Sequence, residues 1–545
     1  MAALELILVL LAAVAALSLL ADKLAIPLLA LLVLGGIGLA LAPGLPRPSL
    51  DPDAVFLIFV PPLLYWTALN TSWRDFRQNL RSITLLSVGL VIVTMLAVAA
   101  AAHAVAPELP WSSALVLGAI VSPPDPVAVT AVTRRLGIPR GITTLLEGEG
   151  LVNDATALVA YRMAVGAVVT GTSSIDGAWW KLLRAGAGGV AVGLAIGYAI
   201  GWIRLKIGRA PVVENTISLL TPFAAYIPAE RLGVSGVLAV VAVGLYLGRA
   251  GPRIVSPQTR IQATGMWQVV SFLLEGLVFI LIGLELPLVL EALRVHSIPT
   301  LVALAAAVSA AAILVRLLWV FPGAYLPRYV QRLLGAKNPD EYPPWQGVTF
   351  VGWAGLRGGD SLVIALALPL KTAAGAPFPG RDLILFLTFA VIFVTLVIQG
   401  FTLQFVIRWL GLKPDHETGE EETEARDRVT EAGLARLEHI EPENETRRQV
   451  LEALREKHRH IGHRYDARAH GKRHEKDEER RDAYREYRLE MIRGERDALI
   501  ELRDRNVISD DALRRIQRDL DLEQALLESP DAVDAALDEE AGVNS

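Results

Sequence analysis

The 545-residue chain contains no cysteine, so disulfides, thiol nucleophiles and zinc–thiolate centres are excluded. Its N-terminus also lacks the basic region that precedes the apolar core of a cleaved signal peptide. We therefore expect the first apolar run, Leu4–Leu20, to be retained as a membrane span. The formal net charge is small, −5, and by itself indicates no class of partner.

Apolar residues, in contrast, are abundant. They make up 53% of the chain, and the mean hydropathy of +0.42 is too high for a soluble enzyme. These values are typical of an all-α polytopic membrane protein with a polar appendage. Because a spanning helix needs about 20 apolar residues, the apolar runs predict thirteen transmembrane helices. The predicted spans centre on Leu4–Leu20, Ile26–Leu41, Val55–Leu69, Ile83–Val105, Ala114–Val132, Leu145–Val169, Ala185–Leu205, Val212–Ala229, Val234–Leu247, Val269–Leu286, Thr300–Tyr325, Gly347–Leu370 and Leu383–Trp409.

Basic residues in the predicted loops indicate the orientation. The odd-numbered loops hold 16 Lys and Arg residues, whereas the even-numbered loops hold seven. By the positive-inside rule, the odd loops face the cytoplasm. The short eighth and ninth spans could instead be one kinked helix, but merging them would put two basic loops on the wrong side. We therefore expect thirteen spans, with the N-terminus outside and the C-terminus in the cytoplasm.

The composition changes after residue 412. Residues 1–412 are expected to form the transmembrane domain. Residues 413–545 are expected to form a charged cytoplasmic tail, in which sparse apolar residues at helical spacing predict solvated helices. Val507–Leu527, with Ser509 as its N-cap, is the best-defined of these. Lys457–His474 holds five of the nine histidines, and is either a solvated charged helix or a regulatory segment that senses pH, anionic lipid or a divalent metal.

Two of the predicted spans are interrupted. The fifth contains three prolines within Ser122–Pro126, which must break a helix. The twelfth contains the glycine-rich segment Gly352–Asp360. Non-helical backbone at membrane depth is tolerated only where protein or a water-lined cavity surrounds it. Because the two spans are seven apart, they cross in opposite directions, and paired interruptions in inverted repeats predict a transport site.

The sixth predicted span carries Asp154, a carboxylate that costs about 3 kcal/mol to place at mid-membrane. Gly150 and Asp154 are four residues apart and share a helix face, with Glu147 on the same side. This face is expected to meet Asp125 of the broken fifth span. Two carboxylates beside unwound backbone make an oxygen-rich site suited to a small cation. Such a carboxylate holds a proton or a cation, but not readily both.

Other charged residues also lie in the predicted spans. Glu149 and Asn153 occupy the neighbouring face of the sixth span. A buried Glu149 needs a counterion, and Arg357 in the twelfth span is the expected partner. Arg162 and Arg316 are expected to extend their guanidinium groups toward the outer and the cytoplasmic interface, respectively.

Three other functions have to be weighed against transport. Asp154 and Asp360 resemble the two acids of an intramembrane aspartyl protease, but that chemistry uses a Gly-x-Gly-Asp motif and Arg357 occupies the first Gly position. We therefore expect no enzyme activity. A cation channel and a purely structural or signalling protein remain alternatives. Cation flux driven by a proton gradient would separate a transporter from all three.

Three motifs closely resemble those of monovalent cation/proton antiporter family 1, which includes bacterial sodium/proton antiporters of the NhaP type and their eukaryotic exchanger relatives. The motifs are Ser122–Ala128, Glu149–Ala155 and Gly355–Gly359, with support from Phe59–Tyr65, Val234–Ala239 and Phe272–Pro287. The resemblance covers roughly Leu4 to Trp409. It implies a plasma-membrane antiporter that exchanges Na+ for H+ in pH homeostasis, with no cofactor and no nucleic-acid partner. It also implies a homodimer in which a core bundle shifts against a dimerisation domain.

The resemblance further implies a role for individual residues. Asp154 corresponds to the essential carboxylate that binds cation and proton alternately, and Asp125 to the acid of the unwound segment. Asn153 marks the electroneutral branch of the family, which implies one cation per proton. Glu149 and Arg357 correspond to a stabilising ion pair.

Four positions depart from the family pattern. Pro124 replaces a frequent Thr and Gly150 a frequent Ser, which removes two hydroxyl ligands. Trp66 stands where some members have an acid, and Asp360 where a small or apolar residue is usual. Asp360 is therefore expected to supply an oxygen ligand or to pair with Arg357. The auxiliary site residues are Asp360, Glu147 and Ser122. Residue types do not separate Na+ from K+ or Li+, so K+/H+ antiport remains an alternative.

Overall fold

The computed structural model describes residues 2–24, 28–41, 52–125, 129, 138–171, 178–207, 210–295, 297–335, 341–412, 416–442, 444–456, 475–505, 507 and 510–527. The chain divides into two compact units, Met1–Pro414 and Asp415–Ser545. Regular secondary structure in the described ranges is helical, apart from an isolated bridge between Lys371 and Pro377.

The described part of the first unit is built from long helices and several shorter ones. In chain order the helices are α1 (Ala2–Leu24), α2 (Leu28–Ala40), α3 (Pro52–Asn70), α4 (Trp73–Gln78), α5 (Leu80–Val105), α6 (Trp111–Val121), α7 (Arg140–Thr170), α8 (Ala178–Ile207), α9 (Pro211–Arg231), α10 (Gly236–Ile254), α11 (Pro257–Ala292), α12 (Ile298–Leu333), α13 (Trp345–Trp353), α14 (Gly359–Leu366) and α15 (Arg381–Leu410). Two of the described helices contain a π-helical turn, Leu85–Leu90 in α5 and Thr395–Gln399 in α15.

Seven of the described helices are long and apolar enough to cross a membrane: α5, α7, α8, α10, α11, α12 and α15. Shorter apolar stretches lie in α1, α2, α3 and α6. The prediction of an all-α, multi-pass membrane protein is therefore confirmed. The eighth and ninth predicted spans are two separate helices, α9 and α10, joined by the turn 232–235.

Small residues allow these helices to pack closely, as is usual in membranes. Gly36 of α2 and Gly283 of α11 lie at one such crossing. A Cβ added to Gly36 would lie 2.3 Å from the carbonyl oxygen of Ile280, and one added to Gly283 would lie 2.2 Å from that of Val33. Any side chain at either glycine would push the two helices apart.

The second unit contains the helices α16 (His416–Glu438), α17 (Glu475–Asp504) and α18 (Asp510–Leu527). α17 and α18 pack together through Ile492 and Leu527. Arg488 of α17 donates to Glu523 of α18 at 2.7 Å and so bridges the two helices. The described contact between α17 and α18 is thus a small apolar cluster supported by ion pairs.

Two predictions for the tail concern residues beyond these helices. The helix predicted at Val507–Leu527 begins at Asp510, and its predicted N-cap, Ser509, lies outside the described residues. The histidine-rich stretch Lys457–His474 also lies outside them.

Candidate functional site

The two segments that the sequence marks as interruptions lie side by side. α6 ends at Val121, and non-helical backbone separates the end of α13 at Trp353 from the start of α14 at Gly359. The backbone N–H of Asp125 donates to the carbonyl oxygen of Leu356 at 2.7 Å. This bond joins the two segments directly and pairs backbone groups that a broken helix leaves free.

Gly358 makes the contact between the segments possible. A Cβ added to Gly358 would lie 1.6 Å from Oδ2 of Asp125, a distance that no side chain can accommodate. At the next residue, Gly359, an added Cβ would lie 3.6 Å from the ring of Phe279, which is an ordinary contact. The carboxylate of Asp125 therefore lies directly against the backbone of the second segment.

Asp154 lies in the middle of α7, which is unbroken from Arg140 to Thr170. Its side chain is 9% exposed, and it has no hydrogen bond or salt bridge to any residue that the structure describes. It lies within electrostatic range of Asp360, Asp125 and Glu149. A nearly buried carboxylate without a protein partner is available to a cation or a proton.

Asn153 makes the hydrogen bond between α7 and the first broken segment. Its Nδ2 donates to the carbonyl oxygen of Pro124 at 3.2 Å, and its Oδ1 is buried without a partner in the described part of the chain. The sequence suggested that the face with Gly150 and Asp154 would make this contact. The neighbouring face therefore takes part as well.

Glu149 pairs with Arg316 of α12. Both side chains are 1% exposed; Nη2 of Arg316 lies 2.9 Å from Oε2 of Glu149, and Nη1 contacts Oε1. Arg316 also donates from Nε and Nη2 to the carbonyl oxygen of Val351, at 3.2 and 3.0 Å. The expected pairing of Glu149 with Arg357 is therefore wrong, as is the expectation that Arg316 reaches the cytoplasmic interface.

Packing explains why Arg316 takes this place. A Cβ added to Gly355 would lie 2.2 Å from Cδ of Arg316, so the arginine stem occupies the space that this glycine leaves open. Arg357 instead turns its guanidinium to the carbonyl oxygen of Ser122, and its backbone N–H donates to Oγ1 of Thr395 at 3.2 Å. Arg357 thus ties the end of the first broken helix to the second broken segment.

The π-helical turn of α15 forms hydrogen bonds to the second broken segment. Thr395, which accepts from Arg357, lies in this turn, as does Gln399, whose Nε2 donates to the carbonyl oxygen of Trp353 at 3.0 Å. Turns of this kind are frequent at functional sites because they re-aim side chains. The segment is therefore anchored at both its beginning and its middle.

The remaining predicted residues lie around these contacts. Asp360 is half-buried in the first turn of α14, within electrostatic range of Asp125. It forms no salt bridge with a described residue, so the alternative in which it pairs with Arg357 is wrong. Ser122 donates from its hydroxyl to the carbonyl oxygen of Ala119 at 3.0 Å. The other predicted positions are Gly150 and Pro124, which are buried, Glu147, which is half-buried, and Trp66, which stacks on Trp267 at 5.9 Å.

Several residues of this region take roles that were not predicted from the sequence. Arg316 and Glu275 each place a charge within a predicted apolar span, the same signal that singled out Asp154, and Glu275 lies within electrostatic range of Asp125 and Asp360. Ser87, in the π-helical turn of α5, donates to the carbonyl oxygen of Glu149 at 3.1 Å. No local signal in the sequence marks Ser87.

Known proteins that resemble this chain match it along nearly the whole membrane unit. Residues 9–409 match the model of the transmembrane sodium/hydrogen exchanger family. The chain is 36% identical, over 92% of both sequences, to an uncharacterized Na+/H+ exchanger of Mycobacterium tuberculosis. It is 34% identical to a sodium, potassium, lithium and rubidium/H+ antiporter of Bacillus pumilus, over 65% of this chain and 53% of that protein.

The fold has a counterpart among solved structures. The sodium proton antiporter MjNhaP1 of Methanocaldococcus jannaschii superposes with a TM-score of 0.58 at 23% identity, over 75% of this chain and all of that one. At this identity the likeness concerns the fold alone. The match to the family model along residues 9–409 and the 36% identity to the Mycobacterium tuberculosis exchanger show that the chain belongs to the sodium/hydrogen exchanger family of cation/proton antiporters.

Proposed function

We propose that the protein exchanges Na+ for H+ across the plasma membrane as a secondary active antiporter, one cation for one proton. The observation that carries this proposal is the contrast between Asp154 and Glu149. Both are buried acids of α7, but Glu149 is neutralised by Arg316, whereas Asp154 has no partner among the described residues. Cation and proton compete for Asp154, and because its neighbour Asn153 adds no charge, each cycle moves one of each.

The ligand set follows from the oxygen atoms around Asp154. The carboxylates of Asp154 and Asp125 bind the cation, and the unpartnered Oδ1 of Asn153 is a third ligand. The carbonyl oxygen of Pro124 and a water beside Gly150 take the place of the missing hydroxyls. These oxygens are hard ligands, which suit a small cation. In this proposal the protein uses no resident cofactor.

Other residues support the ligands. The auxiliary positions are Asp360, Glu147 and Ser122. The ion pair of Glu149 with Arg316 fixes α7, and Arg357 holds the two broken segments together. In this proposal they set the geometry of the site, and only Asp360 also offers an oxygen to the cation.

The proposed architecture has thirteen spans, of which the fifth and twelfth are interrupted and belong to inverted repeats. The N-terminus lies outside and the C-terminus in the cytoplasm, and residues 413–545 form a regulatory tail. The protein is a homodimer in which a core bundle shifts and so exposes the site alternately to the two sides of the membrane. The likeness to the MjNhaP1 fold supports the helical architecture of the membrane unit.

Transport in proteoliposomes tests the proposal. Wild-type protein should accumulate Na+ when an outward proton gradient is imposed, and Asp154→Asn should not, because the amide neither binds a proton nor neutralises a cation. Full exchange by Asp154→Asn would overturn the mechanism. Cation flux that persists without any coupled proton movement would instead indicate a channel.

K+/H+ antiport is the second candidate. The named substrates of the Bacillus pumilus relative include potassium as well as sodium. The same vesicles assayed with K+ in place of Na+ decide between the two, since a Na+-selective site exchanges little K+ at equal concentration.

A further inference from the structure

A second polar network lies on α7, two turns beyond Asp154. Arg162 donates from Nη1 to both carboxylate oxygens of Glu230, at 2.9 and 3.0 Å, and from Nη2 to the hydroxyl of Tyr226 at 3.3 Å. Its guanidinium also lies 6.0 Å from the centre of the Phe56 ring. Glu230 and Tyr226 belong to the last turns of α9, and Phe56 belongs to α3. One side chain of the Asp154 helix therefore contacts two other helices.

Glu230 is fixed on its own side of this contact. Its Oε1 accepts a hydrogen bond from the backbone N–H of Gly236 at 2.8 Å, so the carboxylate links the end of α9 to the first residue of α10. A Cβ added to Gly236 would lie 2.6 Å from the ring of Tyr226 and 2.8 Å from Oε1 of Glu230, so the backbone of Gly236 packs directly against the carboxylate. Arg162 thus binds a pre-formed acceptor.

The pair differs from the ion pair of Glu149 and Arg316 in its exposure. The side chains of Arg162 and Glu230 are 40% and 30% exposed, whereas those of Glu149 and Arg316 are 1% exposed. Opening a buried ion pair strands two charges in a medium of low dielectric, and that cost keeps it closed. The Arg162–Glu230 pair is partly exposed and lies at the end of α9, beside the turn 232–235 in a predicted outer loop. Its charges can therefore be hydrated when it opens, and the pair can form and break during a transport cycle.

We propose that Arg162 and Glu230 are positioning residues for exchange: their bond holds the Asp154 helix against the turn between α9 and α10 in one access state and opens in the other. This inference rests on the proposed alternating-access function. Asp154 and Arg162 are about 12 Å apart along the axis of an unbroken helix. A movement of α7 that changes access to Asp154 must therefore move Arg162 as well.

The absence of cysteine from the chain permits a direct test. In Arg162→Cys/Glu230→Cys, a reductant-cleavable bifunctional thiol cross-linker joins α7 to the turn between α9 and α10. Exchange in proteoliposomes should fall to the level of Asp154→Asn when the link forms, and should return when it is cleaved. Binding of radioactive Na+ should persist in the linked protein, which an unfolded protein would not show. Full exchange by protein whose cross-link is verified by mass spectrometry would overturn the inference.

A second cross-link serves as the matched control. Gly186 of α8 and Leu238 of α10 are neighbours, since a Cβ added to Gly186 would lie 3.6 Å from Cδ1 of Leu238. Linking Gly186→Cys to Leu238→Cys should leave exchange unchanged, because neither helix carries Asp154. Absence of exchange in unmodified wild-type vesicles would refute the proposed function itself. Active wild-type vesicles with an unimpaired Arg162–Glu230 cross-link would refute the positioning role alone.

The charge-neutral variant Arg162→Gln gives a complementary measurement. Removing an exposed ion pair should shift the balance between access states by about two- to fivefold. The apparent cation affinity should change by that factor while the maximal rate per folded protein does not fall. Wild-type affinity would contradict the inference.

Discussion

At the scale of single residues, Glu149 and Asp154, two buried acids of α7, are distinguished by their partners rather than by their burial. Glu149 is bound by Arg316 through both carboxylate oxygens, and Asp154 has no such counterion in the described part of the chain. A paired carboxylate is committed to structure, because releasing it would leave two charges buried. The unpaired one is the group that can exchange ligands.

The Glu149–Arg316 pair should be required for stability. Arg316→Met leaves Glu149 buried without a counterion and should lower the free energy of unfolding by about 3–5 kcal/mol. The double variant Arg316→Met/Glu149→Leu removes both charges and should recover most of that loss. Thermal unfolding in detergent measures both. A single variant as stable as wild type would show that the pair is not a structural tie.

Asp360 should affect cation binding rather than folding. It lies half-buried without a salt bridge to a described residue, so Asp360→Asn should weaken apparent Na+ affinity several-fold at nearly unchanged stability. Asp382→Asn is the matched control, because Asp382 also occupies the first turn of a helix, α15. If Asp360→Asn changes neither affinity nor stability, the carboxylate has no part in the site.

Residues of the candidate site differ in whether their position and partners can be predicted from the sequence. Asp154 and Asp125 could be marked as candidates because a carboxylate in an apolar run, or between prolines, is unusual among the residues around it. Arg316 could not be assigned to Glu149, because the two are 167 residues apart and their contact depends on which faces of α7 and α12 meet. Two arginines offered the same charge, and only packing distinguishes them.

At the scale of elements, the candidate site is built around two segments whose described residues, 122–125 and 354–358, are not helical. Their positions follow from prolines in one and glycines in the other, which are local properties of the chain. The π-helical turn Thr395–Gln399 that anchors the second segment has no comparable signal, since its sequence is ordinary for an apolar helix. Elements fixed by local chemistry were therefore predictable, and the element fixed by its neighbours was not.

The contact between the two segments should not tolerate a methyl group. Gly358→Ala would place a Cβ 1.6 Å from Oδ2 of Asp125 and should abolish most exchange, because the segments must separate to make room. Overpacking of this kind typically costs about 1–3 kcal/mol. Gly359→Ala is the adjacent control, where the nearest atom would be 3.6 Å away. Equal exchange by the two variants in proteoliposomes would show that the segments do not depend on this approach.

At the scale of the whole molecule, the number of spans decides which surface each loop faces. The basic residues predict that odd loops are cytoplasmic, and separation of α9 from α10 is needed to keep that pattern. The helices themselves do not define a direction across the membrane, because each helix could be inserted either way. Only the asymmetry of loop charge makes the orientation predictable.

Three single-cysteine variants should therefore be labelled from defined sides. Leu232 and Ser297 lie in predicted outer loops, and Gln258 lies in a predicted cytoplasmic loop; all three are exposed, and the natural chain has no cysteine to label. In intact cells, a membrane-impermeant maleimide should modify Leu232→Cys and Ser297→Cys, and should reach Gln258→Cys only after permeabilisation. The reverse pattern would invert the orientation. Labelling of Ser297→Cys but not of Leu232→Cys would mean that α9 and α10 do not cross the membrane separately. That result would contradict the thirteen-span arrangement.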